Sequence, residues 1–167
     1  MDFQTSVKTC LTQNYVTFSG RASRPEYWWF ALFVFLGTLV FGVLDALVFG
    51  TSGGPGQHAG ETRIFAPLFQ LATFLPFLAV GWRRMHDSGR PGWWLLLPVL
   101  VSLGLGLIFT GGMLGIMSRG TMPMPGFGLG GFAVIWLIQV ALFILVVWWL
   151  TRPGQSGPND YGPQPTR

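Results

Sequence analysis

Apolar and polar positions fall along this chain in long blocks, not in the short alternation of a soluble domain. Four apolar runs stand out, at about Tyr27 to Gly50, Ile64 to Trp82, Gly92 to Gly112 and Gly131 to Leu150. Each has about 20 residues, enough for an α-helix to cross a hydrocarbon core of ~30 Å. Lipid offers a main chain no hydrogen-bond partner, so runs of this length are expected to be helical. The predicted fold is therefore all-α: an integral membrane four-helix bundle with a short interfacial N-terminal helix. Three segments follow: an interfacial amphipathic stretch over 1–26, the four-helix domain over 27–150 (spans about 27–50, 64–82, 92–112 and 131–150), and a polar tail over 151–167.

The blocks between the spans carry the detail. Phe3, Val7, Cys10, Leu11 and Phe18 fall at roughly helical spacing, with Asp2, Gln4, Lys8 and Gln13 off that stripe, the pattern of a helix lying on a bilayer surface. Ser23 and Pro25 have the residue types of a helix cap and first turn, and Trp28 and Trp29 follow as an aromatic belt. Pro67 and Pro76 should disturb the second span, their freed carbonyls being met by neighbours or water. Ser102 and Gly106, four apart, would let another helix approach closely.

Charge settles the expected orientation. Only 10% of residues are charged and the net charge is +4. Lys8, Arg21, Arg24, Arg83, Arg84, Arg90, Arg152 and Arg167 fall on one side of a four-span topology, against Arg63 and Arg119 on the other. Basic residues stay cytoplasmic, so both termini and the loop around Arg83 to Pro91 are expected to be cytoplasmic. The basic residues sit at span ends, where arginine meets lipid headgroups, and do not point to nucleic acid. Cys10 is the sole cysteine, which excludes an internal disulfide.

Candidate chemistry gathers on the cytoplasmic side. Arg21, Arg24, Glu26, Arg83, Arg84, His86, Asp87, Arg90, Asn159, Asp160 and Tyr161 come from three separated segments and are expected to form one cap, in which Asp87 and Asp160 pair with arginines and spare guanidinium groups hold phosphates of anionic lipid. The tail is expected to turn back, with Asp160 on Arg83, Arg84 or Arg90 and Tyr161 near Trp93 or Trp94. Within the spans, Asp45 is either an interfacial carboxylate or a buried one bonded to Gln70 or Gln139. His58 stands alone, and Met113, Met117, Met122 and Met124 have no histidine or cysteine beside them, so neither set predicts a metal site. No catalytic residue and no cofactor is predicted: His86 and Asp87 are adjacent and would point apart on a helix, and the HExxH, P-loop and GxSxG signatures are missing. The expected function is a non-catalytic scaffold or accessory protein, partnered by anionic lipid, by itself as a homo-oligomer or by another membrane protein. The alternative is a small oligomeric transporter or channel with a polar path near Asp45, Gln70 and Gln139. A faint internal repeat, Arg24-Pro25 then aromatics and Arg90-Pro91 then aromatics, is consistent with two parallel hairpins.

Three motifs taken together, GRASRPEYWWF, RRMHDSGRPGWW and PNDYGPQP, resemble the landmarks of the bacterial inner-membrane family called domain of unknown function 805, in the same order and over about Phe18 to Pro165. The resemblance implies a four-helix inner-membrane protein with cytoplasmic polar motifs. It implies no activity. Met85 departs from the pattern, standing where leucine is expected, a volume-conserving change.

Overall fold

The computed structural model describes residues 1–50, 63–119 and 129–165; at 108, 109, 111–119 and 129–132 it describes the backbone alone. The elements are α1 (Phe3–Lys8), a π-helical turn (Thr9–Gln13), α2 (Arg24–Phe49), α3 (Phe65–Asp87), a 3-10 helix (Gly92–Leu96), α4 (Leu97–Arg119) and α5 (Leu129–Thr151). The described residues hold no strand, only an isolated bridge between Asn159 and Gly162 in the tail. Three helical stretches are long and apolar enough to cross a membrane, Arg24–Phe49, Phe65–Asp87 and Ala133–Thr151; Gly92–Leu107 is a shorter apolar stretch. His58 and most of the glycine loop, with Met122 and Met124, lie outside the described residues. Met113 and Met117 lie on α4, which runs on to Arg119 where a loop was expected.

Local chemistry explains where the helices start and stop. Ser23 caps α2 by accepting from Glu26 N at 3.4 Å, with Pro25 and Glu26 in the first turn, the favoured composition of a helix start. α3 has no cap of its own. Asp45, in the last turns of α2, supplies it: one carboxylate oxygen accepts from Ile64 N at 3.0 Å and Phe65 N at 2.9 Å, the other from Ala66 N at 2.8 Å. A carboxylate at a helix start also meets the positive end of the dipole. At its other end α3 runs five residues past the apolar run, through Arg83–Asp87. It closes with Arg90 N on Met85 O at 3.0 Å and Gly89 N on His86 O at 3.0 Å, with Gly89 at φ +74°. This is the Schellman ending, which places a left-handed glycine just beyond the helix. The expected loop from Arg83 is thus the last turn of α3 followed by a short turn to Pro91.

The two prolines of α3 differ in consequence. Pro67 lies in the first turn, where a missing N–H costs nothing. Pro76 lies inside the helix and leaves the carbonyl of Ala72 without its donor. Tyr15, from the N-terminal segment, donates its hydroxyl to that carbonyl at 2.5 Å.

The core sits at one end of the helices. Cys10, Ala22, Tyr27, Phe30, Val80, Met85, Val146, Trp149 and Leu150 form it. α2 and α3 pack along much of their length, with Phe69 against Gly37 and its ring 4.9 Å from that of Phe41. α4 and α5 are joined by Gln139, which donates to Pro98 O at 2.8 Å and Ser102 Oγ at 2.7 Å. Among the described side chains of α5, the buried ones lie in its last turns, at the core end.

Candidate functional site

Arg21 precedes α2, Arg84 and Asp87 are a turn apart on α3, and the tail leaves α5 beside them. The Asp87 carboxylate is the centre. One of its oxygens accepts from Arg21 Nε at 3.0 Å and Nη2 at 2.8 Å; the other accepts from Arg84 Nη1. The remaining donors go to main-chain carbonyls. Arg21 Nη1 reaches Gly157 O at 2.6 Å and Arg21 Nη2 reaches Gln155 O at 2.6 Å. Arg84 Nε reaches Leu150 O at 3.1 Å, and Arg84 Nη2 reaches Arg152 O. Both guanidinium side chains are fully buried. Two cations share one carboxylate, and the excess positive charge lies against the carbonyls that end α5, the negative end of that helix dipole. A carboxylate between two arginines, with carbonyls on every spare donor, satisfies the requirement for burying charge.

Other bonds hold the tail in place. Gln155 N donates to Asp87 O at 2.9 Å, and Asn159 Nδ2 donates to His86 O at 3.0 Å. Asn159 Oδ1 accepts from Tyr161 N at 3.0 Å, fixing a local turn. Tyr161 stacks on His86, with ring centroids 4.0 Å apart and planes within 7°. Nδ1 of His86 is 3.1 Å from Gly20 O. A Cβ at Gly154 would meet the Asp87 carboxylate, so only glycine lets the main chain pass there. A cavity of about 230 Å³ remains between the start of α2 and the tail, lined by Ser23, Arg24, Asp87 and Gln155 among others.

A second ion pair lies beside the first. Arg83 Nη1 donates to Glu26 Oε1 at 2.8 Å, both side chains being buried. Arg83 Nε and Nη2 are buried without a hydrogen-bond partner. Cys10 is next to this pair. Burial, with Glu26 adding and Arg83 opposing, pushes its thiol from 9.0 up to about 12, which makes it a poor nucleophile at neutral pH. The N-terminal segment therefore packs its apolar stripe against protein through Cys10 and the fully buried Ser6.

The structure brings Arg21, Glu26, Arg83, Arg84, His86, Asp87, Asn159 and Tyr161 together. Arg24 and Arg90 lie on the rim. Arg24 Nη1 donates to Thr151 O at 3.2 Å in an exposed setting, and the Arg90 guanidinium lies 4.9 Å from the ring centroid of Trp149. Asp160 is exposed and makes no ion pair. Two expectations are therefore corrected. Asp87, and not Asp160, is the acid that binds Arg21 and Arg84, because the tail contributes carbonyls and not a carboxylate. Tyr161 packs on His86 and not on Trp93 or Trp94, because the turn at Asn159 delivers it to the end of α3. Arg21 and Arg84, expected to offer donors to phosphate, direct theirs inward.

The intramembrane polar residues do not converge. Asp45 is buried, as in the second of its two readings, but it bonds to the amides that start α3 and not to Gln70 or Gln139. Gln139 is committed to α4. Gln70 is exposed, and its side chain has no partner. Among the described residues, no group of three or more His, Cys, Asp or Glu could hold a metal.

Gln155, Gly154 and the carbonyls of Leu150, Arg152 and Gly157 were not singled out in the sequence. The available signal was the glycine and proline content of the tail, which leaves main-chain carbonyls outside any helix or strand and free to accept.

Fold and site together define a helical, multi-pass inner-membrane protein closed at one end by a buried arginine–carboxylate cap. The chain belongs to the family described as Protein of unknown function (DUF805), whose sequence profile matches residues 15–163. It is similar to Inner membrane protein YhaH of Escherichia coli (strain K12), 40% identical over 92 residues, 55% of this chain and 71% of that protein. It is also similar to Inner membrane protein YhaI of the same strain, 42% identical over 85 residues, 51% of this chain and 64% of that protein. No solved structure matches.

Proposed function

We propose that the protein is a non-catalytic scaffold or accessory component of the inner membrane, with four spans, both termini in the cytoplasm and the cap on the cytoplasmic face. The observation that carries this is the saturation of the cap. Every donor nitrogen of Arg21 and Arg84 is bonded to protein, and Asp87 is fully engaged. His86 has a carbonyl on one nitrogen and a tyrosine on one ring face. Groups held this way fasten segments together and leave little capacity for proton transfer or nucleophilic attack. The positive side eight-to-two asymmetry supports the orientation.

The outer rim binds anionic lipid. Arg24 and Arg90, with Arg152 stacked 4.5 Å over Trp148, ring the cap at the level of exposed Trp28, Trp29, Trp93 and Trp148, where phosphates and aromatic belts coincide. Native mass spectrometry of protein extracted with phosphatidylglycerol and cardiolipin tests this. Bound anionic lipid should be retained by the wild type and reduced in the Arg24→Ala, Arg90→Ala double variant. Equal retention would refute the rim as a lipid site. For orientation, cysteines at Gly54 and Gly120 should label from the periplasm and one at Ser156 should not; periplasmic labelling at Ser156 would overturn it.

A further inference from the structure

α3 carries a stripe formed by Gln70, Phe77 and Gly81, spaced at i, i+7 and i+11, with Phe74 beside it. At the cap end this stripe is covered. Gly81 lies against Leu95 and Tyr27, and the Phe77 ring is 5.9 Å from that of Tyr27. Toward the Asp45 end it is bare. Phe74 is 60% exposed, and Gln70 is exposed with nothing bonded to its side chain; only its main-chain carbonyl is used, by Thr73 Oγ1 at 3.4 Å. The described side chains of α5 do not close this gap, since those that are buried lie at the cap end and Gln139 is turned to α4.

Gln70 is five residues beyond Phe65, about 8 Å along the helix from its start, and exposed Leu68 and Leu71 flank it. Hydrocarbon has no donor or acceptor for an amide, and an unpaired one there is costly. Glutamine side chains in spans accordingly bond to other helices.

We propose that this stripe is the interface of a homodimer in which Gln70 pairs with Gln70 of a second copy. The amide is self-complementary, with one carbonyl and one NH2, so a two-fold axis gives two reciprocal N–H···O bonds. Copies inserted the same way hold residue 70 at the same depth, and an isologous interface about an axis along the membrane normal sets it against itself. Phe74, a turn away, packs against the partner and shields the amides from lipid. The interface needs no charged residue and leaves the cap untouched.

The test uses the full chain in bilayers. Phe74→Cys in a Cys10→Ser background, which keeps the Gln70 amide, should form a reducible dimer on oxidation in native membranes, while Leu39→Cys, on exposed α2 surface, should not. Single-molecule photobleaching in liposomes of phosphatidylethanolamine and phosphatidylglycerol should show wild-type dimers, an association constant lowered about tenfold by Gln70→Leu, and partial retention by Gln70→Asn. A monomeric wild type, undiminished dimerisation of Gln70→Leu, or equal cross-linking at Leu39 would each overturn the proposal. The cross-link does not depend on Gln70→Leu and decides the matter if that variant misfolds.

Discussion

At the cap end, Arg84, Met85, Phe30 and Val80 have no measurable exposure, whereas toward the other end Leu47 is 76% and Leu71 71% exposed. The two ends also bury different chemistry. Among the described residues, the cap buries three ion pairs, two of them on Asp87, and a network of carbonyl bonds; the far end buries one carboxylate, Asp45, bonded to three amides. Lipid is as apolar as leucine, so apolar burial between spans provides little net drive for helices to associate. Fastening falls to polar groups, and the helices are close-packed where polar groups are plentiful. Along 97–107 of α4 and 133–140 of α5, where Gln139 is the polar link among the described side chains, the residues are mostly exposed.

The cap is most vulnerable at its centre. Asp87→Leu leaves Arg21 and Arg84 buried without a counter-charge and should cost about 3–5 kcal/mol. A large fall in the detergent melting temperature and rapid trypsin cutting after Arg84 would report it; a wild-type melt would show that the carbonyls suffice. Truncation after Arg152 removes the acceptors at Gln155 and Gly157 but keeps Asp87, so the loss should be smaller, about 2 kcal/mol. Limited proteolysis near Arg21 should quicken, and unchanged cutting would mean that the tail does not protect the cap. At the other end, Asp45→Ala should cost about 1–2 kcal/mol and appear as faster hydrogen exchange at Ile64, Phe65 and Ala66, with Asp87-dependent properties unchanged. Tyr15→Phe should have the smallest effect, about 0.6 kcal/mol, with exchange rising near Pro76; no local change would mean that the Ala72 carbonyl finds another donor.

The helices were legible because hydropathy over about 20 residues is a strong signal, and the family because three polar and aromatic motifs stand in order between them. The end of α3 was misplaced because hydropathy marks where lipid contact stops, not where hydrogen bonding stops. Gly89 followed by Pro91 carried the true stop signal. Arg21, Arg84 and Asp87 could be named from residue type, but their partners could not. The expectation of Asp160 as an arginine partner, and the alternative that put Asp45 on a glutamine, looked for a side chain where the structure uses main chain. A sequence shows which side chains are present and does not show which amides and carbonyls will be left over once the helices have formed. The docking of Tyr15 is partly readable in retrospect, since Pro76 identifies Ala72 as an orphaned acceptor, though not its donor.

The bond from Arg21 to Gly157 joins positions 136 apart in sequence, and this orders events during synthesis. Arg21 leaves the ribosome well before Gly157. Until the tail has emerged, Arg21 lacks its final acceptors, and Arg84 lacks Arg152 O. Chains emerge at ~5–20 residues per second, so the nascent protein spends several seconds with these cations exposed at the membrane surface. Closure of the cap therefore waits for synthesis of the tail, and a chain terminated before Gln155 would keep Arg21 without two of its acceptors.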